Sequence, residues 1–195
     1  MLLASLLSLQ ASSSSYFGIV GVGGYNKLSQ DVYKQAGGGT STDIDPILYG
    51  LKINMGIDNG EELRTNFVIG VERFDTDVYA TPDGGSSTGL KLLYSVGLDI
   101  IGTFNKRSSM NPYIKGGLDY SFMKTSGYVQ DWPGAVGFNF GGGSYFKSSD
   151  TLELQLGAYY KYRMWGNYNL DIPNTTNVEL SDHSIMVELG INFHY

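Results

Sequence analysis

Apolar and polar residues alternate without a break through the end of the chain, residues 185–195. Ile185, Val187, Leu189, Ile191, Phe193 and Tyr195 fall on one face. Met186, Glu188, Gly190, Asn192 and His194 fall on the other. A period of two is the mark of a strand whose faces meet different surroundings. The stretch is long for a soluble strand and suits one crossing a bilayer at a tilt, which takes roughly 9–11 residues. Seven further segments repeat the pattern, at 16–26, 46–57, 63–74, 90–101, 113–123, 135–146 and 152–164. In the second, Ile47, Tyr49, Leu51, Ile53, Met55 and Ile57 share a face; in the fourth, Leu90, Leu92, Tyr94, Val96, Leu98 and Ile100 do. Phe67, Ile69 and Val71, then Ile114, Leu118, Tyr120 and Phe122, then Leu152, Leu154, Leu156, Tyr160 and Tyr162 mark the same face in the third, fifth and seventh.

The connections alternate in length. Those after the second, fourth and sixth strands are short, at 58–62, 105–111 and 147–150, and carry Asn-Gly and Ser-Ser-Asp turn signals. The others are mostly longer and polar, with 27–45 and 165–182 the longest. An even strand number with short turns at one end and long loops at the other predicts an all-β fold, an eight-stranded antiparallel up-and-down transmembrane β-barrel. Tyr49, Tyr120, Phe122, Phe138, Tyr160 and Tyr162 map near the outer rim, and Phe104, Phe146, Phe193 and Tyr195 near the inner one. These are the two aromatic girdles of such a barrel. Gly141, Gly142 and Gly143 in the sixth strand are read as a bend or bulge.

The remaining face separates a membrane barrel from a soluble one, whose apolar side would point inward. It carries Lys52, Arg64, Glu72, Lys91, Asp99, Lys115, Asp119, Glu153, Lys161, Arg163 and Glu188, interleaved with glycines. Eight strands leave a lumen that side chains just fill, and charges buried there must be paired. Lys52, Glu72, Lys91, Asp99, Lys115, Asp119, Glu153, Lys161, Arg163 and Glu188 are therefore predicted to form a luminal charge network with no catalytic role.

The last eight residues, Glu188-Leu189-Gly190-Ile191-Asn192-Phe193-His194-Tyr195, carry a polar residue, a glycine two later and a terminal aromatic. They resemble the C-terminal assembly signal of bacterial outer-membrane barrels, with Gly190, Phe193 and Tyr195 in the matching positions. With the strand pattern, residues 12–195 resemble the small eight-stranded OmpA/OmpX and opacity-type family. The resemblance lies in architecture, with little motif identity outside the terminal signal. It implies a cell-surface protein of the Gram-negative outer membrane, inserted by the barrel assembly machinery through its last strand. It also implies contact with membrane lipid, loops that meet a host or surface ligand, and little or no constitutive pore.

Composition sharpens this picture in three ways. Among 195 residues there is no Cys, which removes disulfides and thiolate metal sites. The net charge of -6 argues against nucleic acid. The short Leu-rich start, residues 1–11, reads as a truncated signal peptide with cleavage after Ala11, although its first Lys is Lys27; a short buried helix is the alternative.

The search for chemistry yields little. Gly21-Val22-Gly23-Gly24 lacks the third glycine of a dinucleotide fingerprint, since Asn26 stands there. His183 and Ser184 are adjacent at the outer end of the last strand, so they point to opposite faces and make a poor nucleophile–base pair; His194 is read as structural. Asp75 and Asp77 read as solvated acids at a loop base, whereas Asp43 and Asp45 could help hold a divalent cation but lack the fixed glycine and third acid such a loop needs. Trp132 and Trp165 sit at loop bases, as protein or glycan contacts or as interfacial anchors. No cofactor, metal or catalytic residue is assigned. The function predicted is a structural or adhesion role at the cell surface, with a narrow channel for small solutes, or less readily a lipid A-modifying enzyme, as alternatives.

Overall fold

Among the described residues, nine strands form one antiparallel sheet: β1 Ser14–Lys34, β2 Gly39–Ile44, β3 Ile47–Asp58, β4 Leu63–Phe74, β5 Leu92–Thr103, β6 Met110–Met123, β7 Gly134–Lys147, β8 Leu152–Trp165 and β9 Thr175–His194. The protein is seen in a computed structural model, which describes residues 14–34, 37–59, 62–75, 92–105, 108–123, 134–166 and 175–195. The predicted signal segment, Lys91, Asp77 and Trp132 lie outside the described residues.

β2 and β3 run one after the other along the same edge of β1, so they act as one barrel strand interrupted at Asp45 and Pro46. Pro46 has no N–H to give the ladder, but its carbonyl accepts the Asn26 N–H at 3.0 Å. The other edge of β1 pairs with β9, and the sheet closes into an eight-stranded barrel. Its stagger can be followed by register. Starting at Asn26, successive partners are Ser184, Lys161, Asn139, Gly117, Asp99, Asn66 and Gly56, and the circuit returns to β1 at Tyr16, ten residues lower. A stagger of this kind tilts the strands and lets the barrel close on itself.

The alternation decides which way each side chain points. Ile53, Leu51, Phe67, Leu98, Leu118, Phe140, Leu156 and Leu189 stand exposed around the outside, the last 65% so. Tyr49, Tyr120, Phe138 and Tyr160 face out toward one end, and Phe104, Phe146, Phe193 and Tyr195 toward the other. A continuous apolar belt of this size is foreign to soluble monomers, and matches the lipid-facing band of a transmembrane barrel. Inside, Glu72, Lys115, Lys161, Arg163 and Glu188 are each at most 5% exposed.

Three expectations change. Residues 27–45 are not a structureless loop: β1 continues to Lys34, and β2 folds back on it from Leu28↔Ile44 to Tyr33↔Gly39. β9 begins at Thr175 and pairs with the same stretch of β1. β1, β2 and the start of β9 therefore project past the barrel as a three-stranded sheet. Beyond the bilayer a strand needs no apolar outer face, so the alternation fades while the ladder continues. Third, Gly141, Gly142 and Gly143 form no bulge. They pair in unbroken register with both β6 and β8.

Candidate functional site

The luminal residues assemble in tiers across the barrel. Near the inner mouth, Arg64 on β4 donates from Nε to Asp58 at 2.8 Å and bidentately to Glu153 on β8 at 2.6 and 3.1 Å. Its guanidinium lies 4.3 Å from the centre of the Tyr145 ring. His194 stacks on Tyr16 at 5.2 Å and places Nε2 3.6 Å from Glu153. In the next tier Lys115 on β6 reaches Glu188 on β9 at 2.5 Å, and Glu188 also accepts from the Tyr113 hydroxyl at 2.6 Å and Gln155 at 2.9 Å. Above it, Lys52 donates to the Tyr159 hydroxyl at 2.5 Å and lies 3.8 Å from Glu72. Lys161 meets Asp119 at 2.9 Å, and Asn139 donates to Asp99 at 3.0 Å. In the outermost charged tier Arg163 joins Glu72 to Asp182, the latter at 3.1 Å.

β8 supplies Glu153, Gln155, Tyr159, Lys161, Arg163 and Trp165 to this column, reaching β3, β4, β6 and β9. Charges at this burial are tolerated only when paired and hydrogen-bonded, since each carries a desolvation cost of several kcal/mol. The structure brings Lys52, Glu72, Asp99, Lys115, Asp119, Glu153, Lys161, Arg163 and Glu188 to the lumen side. The sequence reading missed Asp58 and Asp182, which lay in segments taken as turn and loop. It also missed the tyrosine hydroxyls of Tyr113 and Tyr159 that solvate the charges. Asp182 was findable, because it continues the inward series of Ser184, Met186 and Glu188.

The outer mouth is different in kind. Leu28, Leu48, Phe74, Leu93, Met123, Ala135, Trp165 and Leu180 pack at the outer end of the charged column, in an apolar cluster that continues down beside it through Val20, Val22, Tyr159 and Met186. Trp165 corrects the prediction made for it: it is 7% exposed, inside the barrel, and its Nε1 donates to Asp182 at 2.7 Å. It is neither a surface contact nor a membrane anchor.

At the rim, His183 points outward against Tyr160, whose hydroxyl meets Nδ1, and 4.7 Å from the Tyr162 ring. Ser184 points inward, buried, and accepts from Asn26 at 2.7 Å. The two share no reaction centre. Asp43 accepts from Ser29 at 2.7 Å and lies 3.4 Å from Lys27. The Ser29 hydrogen bond, then the Lys27 charge, hold its carboxyl below the usual aspartate range. Asp75 caps the Ile47 N–H at 2.9 Å. Among the described residues no three His, Cys, Asp or Glu side chains converge as a metal site. At the other end of β9, Phe193 and Tyr195 face the lipid side, the Tyr195 N–H bonds to the Ser15 carbonyl at 3.0 Å, and Gly190 lies inward against Val20.

No protein-family model and no curated protein matches the sequence. Solved structures do. Neisserial surface protein A is 17% identical over 92% of this chain and 97% of its own, with a TM-score of 0.57. The outer membrane protein OprG from Pseudomonas aeruginosa is 9% identical over 91% and 95%, with a TM-score of 0.58. The outer membrane protein AlkL, determined in lipid bilayers, is 11% identical over 93% and 90%, with a TM-score of 0.55. At such identities the likeness is one of fold: this chain has the closed eight-stranded antiparallel architecture of small outer-membrane β-barrels.

Proposed function

We propose that this barrel resides in the outer membrane of a Gram-negative bacterium as a structural or surface-interaction protein without catalytic chemistry. The observation that carries this reading is the two-part filling of the lumen. An ion-paired column occupies the middle, and an apolar cluster around Phe74, Met123 and Trp165 covers its outer end. Such a lumen supports the barrel and does not serve as a path for solutes. The sheet made by β1, β2 and β9 offers the surface on which a host or neighbouring ligand would be met. Membrane lipid surrounds the belt, and the C-terminal strand with Gly190, Phe193 and Tyr195 is the segment the assembly machinery would recognise.

A polar vestibule of about 510 Å³ at the inner mouth, lined by Asp58, Arg64, Asn111, Glu153 and His194, favours the narrow channel as the second reading. Planar-bilayer recording separates them. The structural reading expects a flat baseline from refolded, heat-modifiable protein. Reproducible ohmic steps that disappear on boiling would establish the channel instead. A lipid-modifying activity finds no support at His183, since Ser184 lies on the far side of its strand.

A further inference from the structure

We propose that the outside of the barrel carries a site for an anionic outer-leaflet lipid, built as a groove over β1 with Arg73 at its head. The inference rests on the membrane placement above. The groove is an open trough of about 730 Å³ lined by Gly21, Gly23, Tyr49, Leu51, Val187 and Leu189, with Arg73 at its margin. That volume lies in the range of small-molecule sites.

Its shape follows from register. Gly21 and Gly23 are consecutive lipid-facing positions of β1, where a belt strand would carry large apolar side chains. Gly21 pairs with Leu51 and Leu189, and Gly23 with Tyr49 and Val187. The walls thus stand two strand spacings, roughly 10 Å, apart. At about 4 Å carbon–carbon contact distance that admits one hydrocarbon chain lying along the strand. Ile19 and Tyr25, both about half exposed, close the ends of the trough.

Nothing in the barrel's own packing calls for glycine here. A Cβ at Gly23 would meet nothing within 4 Å, and one at Gly21 only the Leu189 carbonyl at 3.7 Å. At the inward-facing Gly50 the same atom would lie 2.2 Å from the Val71 carbonyl. The inward glycine is dictated by close approach, whereas the outward pair opens a space toward lipid.

Arg73 says what kind of lipid. It is the register partner of Tyr49 on β4, one residue from the strand's outer end, and it is exposed on the lipid side. A guanidinium there is costly unless it reaches the interface or an anion, and its planar fork matches a phosphate bidentately. A second groove of about 680 Å³ over Gly116, between Phe67, Leu98, Leu118 and Tyr120, has no cation on its lining and provides a built-in control.

The test is native mass spectrometry of the heat-modifiable barrel from non-ionic detergent, with lipid A, a diphosphorylated acylated disaccharide, or zwitterionic phosphatidylcholine as probe. Heat-modifiability reports separately on the membrane barrel itself. The expected result is retention of one lipid A in preference to phosphatidylcholine. R73Q lowers that retention about tenfold, the scale of one lost charge-assisted contact. Gly21→Val with Gly23→Val abolishes it, and Gly116→Val leaves it unchanged. Equal retention of the two probes overturns the proposal. So does undiminished lipid A on the groove-filled variant, or a dimer that replaces the adduct and vanishes on filling the groove. The last outcome would assign the groove to a second copy of the chain.

Discussion

Arg163→Met should be among the most damaging single changes in this barrel. Arg163 is 0% exposed and bridges Glu72 on β4 to Asp182 on β9. After the substitution Asp182 keeps the Trp165 indole at 2.7 Å and Asn26 at 3.1 Å. Glu72 keeps only Lys52, at 3.8 Å, within ion-pair range among the described residues. The cost is therefore a carboxylate left buried with only the less close Lys52 and Lys161 charges, and removing one member of a buried pair costs roughly 3–5 kcal/mol. With a urea slope near 2 kcal/mol/M, that lowers the unfolding midpoint by roughly 2 M. The assay is urea-gradient gel mobility in micelles, with unfolding and refolding arms overlaid. A cycle with E72Q should show a coupling of roughly 1–3 kcal/mol, because neutralising Glu72 removes the charge that loss of the guanidinium would strand. An Arg163→Met loss below about 1 kcal/mol, the scale of an exposed pair, or strictly additive effects in the cycle, would refute the reasoning.

Two further outcomes are expected. The Asp43 carboxyl, held low first by Ser29 and then by Lys27, contributes to the projecting sheet above the ordinary aspartate pKa of about 3.9 and loses that contribution as pH falls through its lower folded value. A carboxyl-carbon NMR titration should show the depressed midpoint, and S29A should move it upward; an unshifted midpoint would remove the contact. Gly50→Ala should destabilise by roughly 1–3 kcal/mol by forcing a Cβ onto the Val71 carbonyl. Gly23→Ala should be neutral within about 0.5 kcal/mol, and equal urea midpoints for the two would contradict the packing seen around them.

The fold was legible because a barrel strand obeys one rule along its whole length in the bilayer. Ile185 through Tyr195 read as a strand before any partner was known, and the facing of Leu51, Val71 and Leu98 followed from the same period. Legibility ended where the solvent changed. Past the bilayer the outer face turns polar at Lys27, Ser29, Asp31, Ser181 and His183, which erases the period, so the buried inner-face residues Leu28, Gln30 and Asp182 were read as loop. The lumen was half legible for a related reason. Charges at Lys161, Arg163 and Glu188 announce an inward face, but pairing depends on the stagger of distant strands. The apolar outer cluster was hidden because Leu48, Phe74 and Leu93 look, in sequence, like breaks in the alternation. Tertiary position, which no local pattern carries, makes them a lid. Gly21 and Gly23 were weighed in sequence only against a dinucleotide fingerprint, and the open space above them depends on the neighbours that register sets beside them.

The stagger that joins Asn26 to Tyr16 around the circuit has a bearing on how the barrel is made. Four of the luminal ion pairs join strands that are not neighbours in the sheet: Arg64 with Glu153, Lys115 with Glu188, Lys161 with Asp119 and Arg163 with Glu72. A partly wound sheet inside hydrocarbon would hold these charges facing lipid with no counterpart. The meeting of β1 with β9 is thus the event that makes the interior habitable, and insertion and curling of the sheet must advance together. Such a product has no cheap halfway state to fall back through, so its persistence in the membrane is set by the height of the opening barrier as much as by the depth of the well.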